Sequence, residues 1–129
     1  MRYLLAVLVV ACGCAPGHTT VAARLVGDGP GALVARARWP HVELNYSVST
    51  VRDRSVECGA VYPLRDGAAC VVTAGWMIEE TATDYRAARV GAELRGPFGQ
   101  ASTLGIGVMT TWGNDGASTV GYVALGIDL

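Results

Sequence analysis

The run Ser102-Thr103-Leu104-Gly105-Ile106-Gly107-Val108-Met109-Thr110-Thr111-Trp112, then Gly113-Asn114-Asp115-Gly116, then Ser118 to Leu129, decides the fold class. In an extended chain successive side chains point to opposite faces. Leu104, Ile106, Val108, Thr110 and Trp112 therefore share one face, and Thr103, Gly105, Gly107, Met109 and Thr111 the other. After the break, Val123, Leu125, Ile127 and Leu129 fall together, opposite Tyr122, Ala124, Gly126 and Asp128. A period of two belongs to strands, not helices. The Gly-Asn-Asp-Gly connection is rich in residues that accept positive φ, which is what a tight hairpin needs.

The same alternation extends toward the N-terminus. Tyr85 to Arg95 splits into Arg86, Ala88, Val90, Ala92 and Leu94 against Tyr85, Ala87, Arg89, Gly91, Glu93 and Arg95, and reads as a strand despite its Ala and Arg content. Gly96 to Gln100 is a turn, and Glu79 to Asp84 a polar loop. Ala69 to Ile78 carries Cys70, Val72, Ala74, Trp76 and Ile78 on one face. Val56 to Tyr62 pairs with it across a turn marked by Pro63 and Asp66-Gly67. His41 to Arg52 sets Val42, Leu44, Tyr46 and Val48 against Glu43, Asn45, Ser47 and Ser49. Ala32 to Trp39 sets Leu33, Ala35, Ala37 and Trp39 against Arg36 and Arg38, and Thr20 to Val26 is the first strand. Seven or eight antiparallel strands without a long helix predict an all-β meander, closed into a small barrel or folded as a two-layer sandwich.

The chain has 129 residues, one domain's worth, with a formal net charge of −1. It contains no lysine, so all ten basic side chains are arginine, and no basic block could follow a phosphate backbone. That composition argues against a nucleic-acid partner. Glycine, at 17 residues, exceeds the usual share of roughly 7%, in keeping with strands and turns.

Met1-Arg2 is followed by the apolar run Tyr3 to Ala11, a positive end and a short hydrophobic region that read as a secretory leader. Nine apolar residues are too few to cross a bilayer as a helix, which takes about 20. At its end, Val9-Val10-Ala11-Cys12 resembles a bacterial lipobox. The resemblance implies lipidation of the Cys12 thiol, removal of residues 1–11 as a signal peptide, and an envelope location. Gly13, which is not Asp, leans the sorting toward the outer membrane. Residues 12–19 then form a lipidated tether, and 20–129 a single β domain. A second thiol, Cys14, fits the lipobox less well. The C-terminal hairpin resembles that of outer-membrane β-barrels, where the apolar face meets lipid and small residues pack inside.

An exported chain meets an oxidising compartment. A hairpin folded about Leu64 would set Cys58 opposite Cys70 and permit a disulfide; two free thiols, or half of a metal site, are the competing readings. No C-x-x-C and no histidine at ligand spacing supports a metal.

Chemistry is sparse. His41 is the single candidate base of the body, with Asp53 and Ser55 near in sequence but with nothing to bring the three together. Glu79, Glu80 and Asp84 make an acidic loop without the ligand spacing of a calcium site. No glycine-rich phosphate loop is present. Trp39, Trp76 and Trp112 lie on apolar strand faces, as core or as a membrane-interface belt. No catalytic residue, metal or cofactor is expected.

The sequence thus predicts a membrane-tethered lipoprotein whose water-soluble barrel or sandwich has a structural or binding role, with an unidentified protein or small-molecule partner. The alternative is a small integral outer-membrane barrel acting as anchor or pore. Several strands fall short of the 9–11 residues that span a bilayer. Arg36, Arg38, Arg52 and Arg86 also weigh against lipid contact.

Overall fold

The computed structural model describes residues 17–27, 31–50, 53–78, 86–113 and 116–129. The leader, Cys12, Cys14, the acidic loop Glu79-Glu80 with Asp84, and the Asn114-Asp115 turn lie outside the described residues. Eight strands follow in order: β1 (His18–Val26), β2 (Ala32–Arg38), β3 (Val42–Ser49), β4 (Arg54–Pro63), β5 (Ala69–Ile78), β6 (Arg86–Pro97), β7 (Ser102–Gly113) and β8 (Gly116–Asp128). Each pairs antiparallel with its sequence neighbours, and β1 pairs with β8, so the meander closes into a barrel and the sandwich is excluded.

The first strand begins at His18, two residues inside the expected tether. His18 and Thr19 continue the β1–β2 register opposite Arg38 and Ala37, and the Leu129 amide donates to the Thr19 carbonyl. Following the pairing once round the barrel gives a stagger of about ten residues, and with eight strands this tilts them about 40° from the axis. A barrel of this size has an interior just wide enough for side chains to fill.

Charged and polar side chains line the interior, and apolar ones cover the outer surface. Inside are Arg24, Arg36, Glu43, Asn45, Ser47, Ser55, Glu57, Glu93 and Arg95, all buried. Outside are the apolar stripes, with Ile106 at 58% exposure and Trp76 at 63%. Among the described residues the buried apolar side chains are few, and one small cluster of them, Val61, Ala69 and Val71, sits toward the end of the barrel that carries the β2–β3, β4–β5 and β6–β7 turns. Arg36 points inward rather than toward any lipid face, and Arg38 shares its parity. Arg52 lies outside the described residues.

The β4–β5 turn corrects the cysteine pairing. Arg65–Gly67 form a single 3-10 turn in which Asp66 (φ 60) and Gly67 (φ 78) both take the left-handed conformation. That places the bend at Asp66, not Leu64. Tyr62 therefore faces Cys70, and Cys58 faces Ala74. The two cysteines are offset by four positions, about 13 Å along the strands, beyond the ~7 Å Cα limit of a disulfide. Both are free. The unfolded chain is therefore expected to take up a maleimide at Cys58 and Cys70 equally with and without prior reduction. A mass increment that needs reductant would contradict this register.

Candidate functional site: a charged barrel interior and its cavity

The interior is built in layers, because inward positions come from every second residue of all eight strands. Toward the turn end, β3, β2 and β6 contribute Glu43, Arg36, Glu93 and Arg95. Arg95 reaches both oxygens of Glu43 at 2.6 and 3.0 Å and Oε2 of Glu93 at 2.9 Å. Arg36 Nη2 bridges the Glu93 oxygens at 3.0 and 3.1 Å. Glu43 has no exposed surface. Taking such charges out of water is costly, and only close, multiple hydrogen bonds of this kind offset the cost. Gly105 on β7 makes room, since a Cβ there would collide with the Glu93 carboxylate.

The next layer lies nearer the opposite end, among β1, β4, β6 and β8. Arg24 stacks on Tyr122, 4.6 Å from the ring centroid. The Tyr122 ring covers Gly107 so closely that a Cβ there would collide with the ring and its hydroxyl. Arg24 and Arg89 share one carboxylate, Glu57, at 3.7 and 3.8 Å, longer than hydrogen bonds. Arg89 Nε donates to Thr111 Oγ1 at 3.2 Å and Nη1 to Ser55 Oγ at 3.4 Å, and Nη2 contacts Met77 Sδ at 2.9 Å. Ser55 is in turn hydrogen-bonded to Ser47.

Above this layer a cavity of about 340 Å³ opens at the end bearing the β1–β2, β3–β4, β5–β6 and β7–β8 connections. Arg24 and Arg89 border it, as do Ser47, Ser55, Met77, Met109 and Thr111, with Asp53 and Arg54 nearer the rim.

The sequence candidates scatter. His41 lies in the β2–β3 turn, where its carbonyl accepts the Val61 amide, while Asp53 and Ser55 are at the other end of the barrel. The structure does not bring the three together. Among the described residues no three His, Cys, Asp or Glu side chains converge on a metal position. Trp76 and Trp112 stand on the outer surface toward the cavity end; Trp39, Tyr62 and Phe98 lie near the turn end. From Ala88, opposite Trp112 on β6, to Phe98 just past the end of that strand, the chain covers ten positions, about 25 Å along the axis at a 40° tilt. Sequence reasoning missed the interior charges as a set. Their signal was present: Glu43, Glu57, Arg89, Glu93 and Arg95 all take the parity opposite to the apolar stripe of their strand. In comparisons with known proteins, the chain matches no family model, no curated protein and no solved structure.

Proposed function

We propose that this protein is a small integral β-barrel of a bacterial outer membrane, closed through its middle and serving as an anchor or scaffold rather than a pore. One observation carries the reading. Inside the terminal residues of the strands, no described outward-facing side chain is charged, while four arginines and three glutamates face inward. Water would favour the opposite arrangement; lipid favours this one, because a charge on the bilayer-facing surface is costly. Two supporting features are the aromatic side chains toward both ends and the closure of the eight described strands on one another. The Arg36–Glu93–Arg95–Glu43 network occupies the cross-section, which favours a closed barrel over a channel.

The lipidation expected at Cys12 is compatible with this seating. Residues 13–17 alone separate Cys12 from β1, whose first residue lies at the turn end. Lipid and barrel would then hold the chain at the same membrane surface.

The test is expression in a Gram-negative host with labelled palmitate, beside Cys12→Ala, followed by carbonate washing and electrophoresis with and without boiling. The expected result is label on the wild type only, with both proteins retained in the outer membrane and both running faster unboiled. Release of the Cys12→Ala variant into the soluble periplasm would sink the integral reading. Label on neither protein would sink the lipid.

A further inference from the structure

We propose that the cavity at the connection end is a binding site for a small oxyanion, a carboxylate or phosphate group held between Arg24 and Arg89. The inference does not depend on where the barrel sits, since the cavity and its arginines are interior to it.

The two charged layers differ in one respect. In the lower layer the guanidinium terminal nitrogens of Arg36 and Arg95 meet carboxylate oxygens at 2.6 to 3.1 Å. In the upper layer two guanidinium groups compete for Glu57, and neither reaches hydrogen-bond distance. Their remaining terminal contacts include thioethers: Arg24 Nη1 lies 3.7 Å from Met109 Sδ, and Arg89 Nη2 lies on Met77 Sδ. Sulfur of this kind is a weak acceptor. Arg24 is 3% exposed, and its Nε has no partner. The Nε atoms of Arg36 and Arg95 are also unpartnered, but those residues do not border the cavity, whereas Arg24 does.

A guanidinium is a planar fork that matches the paired oxygens of a carboxylate or phosphate. Two of them share the Glu57 carboxylate at 3.7 and 3.8 Å at the floor of the cavity, and the Asp53 carboxylate nearer the rim acts on Arg89 through space, so neither cation has a close ion pair with Glu57. An entering oxyanion would take the donors now spent on sulfur, and the hydroxyls of Ser55 and Thr111 stand beside Arg89 to complete its surroundings. The volume, about 340 Å³, admits a small organic acid or phosphate ester.

The experiment uses the full-length barrel, in buffer if it is soluble and in detergent if it is not, titrated calorimetrically with inorganic phosphate and separately with succinate. The variants are Arg89→Gln and Glu57→Gln, each first shown to be folded by a β-sheet circular dichroism spectrum matching the wild type. Glu57→Gln removes the competing carboxylate without changing shape. It is expected to tighten binding roughly tenfold, and Arg89→Gln to weaken it at least as much. Opposite signs from two neighbouring substitutions are what a merely structural role would not produce. Tighter response to phosphate than to succinate, or the reverse, assigns the oxyanion class. Wild-type binding that neither substitution moves would place the anion elsewhere and overturn the proposal. So would the absence of binding of both probes to wild type and Glu57→Gln at about 10 mM, which would leave water as the occupant.

Discussion

Replacing Ile106 with arginine is expected to destabilise the barrel by about 2–4 kcal/mol when folding is measured by urea titration in phospholipid vesicles. Ile106 lies on the outward face of β7, midway between the two aromatic ends, and is 58% exposed. On a protein surrounded by water, an exposed apolar-to-charged change of this kind moves stability by no more than about 0.5 kcal/mol. The substitution therefore separates the two environments by the size of its effect. Arginine at Thr119, nearer the cavity end of β8, should cost less, because the penalty falls toward the interface. Equal and negligible effects at both positions would mean that the apolar belt does not meet lipid.

The second large effect is inside. Glu93→Leu is expected to cost about 3–5 kcal/mol, because it strands the buried Arg36 and leaves Arg95 with Glu43 alone. The cost should come from the uncompensated cation and not from the lost contacts themselves. The double variant Arg36→Leu/Glu93→Leu should therefore recover much of it, ending within about 1–2 kcal/mol of wild type. Vesicle unfolding of both variants measures this. A double variant no better than the single one would show that the network holds the strands together by its hydrogen bonds rather than by charge balance.

Much of the architecture was legible in the chain. Every strand was found from alternation and turn residues, with ends displaced by a few positions, as at His18 and Ser49. Tyr85 to Arg95 had the composition of a helix, and its period of two decided correctly for β6. Period two, however, says which residues share a face, not which face is inside. That choice depends on the solvent around the barrel, which is not written in the spacing. Arg36 illustrates the difficulty: as a charge within a strand it weighs against lipid contact, yet its parity sets it against Leu33, Ala35 and Ala37, so a lipid-facing apolar stripe requires it to point inward. The partners that make this tolerable, Glu93 and Arg95, lie far along the chain on β6, and nothing local announces them. The cavity was illegible for the same reason: Arg24, Glu57 and Arg89 come from three strands and meet only when the barrel closes. The cysteine register failed on a local matter, two left-handed residues at 66 and 67 that carry the bend past Leu64.

The seam between β1 and β8 joins Thr20 to Asp128 by a side-chain hydrogen bond across 108 residues of sequence. Every other strand pair is a hairpin that can form from neighbours, but this one brings the first strand to the eighth. Until it forms, the sheet has two raw edges, each able to capture a strand of another molecule. Closure over so long a separation is slow compared with hairpin formation. The interval before it is when this protein is most open to aggregation, and when a chaperone or an insertion partner would have most to protect.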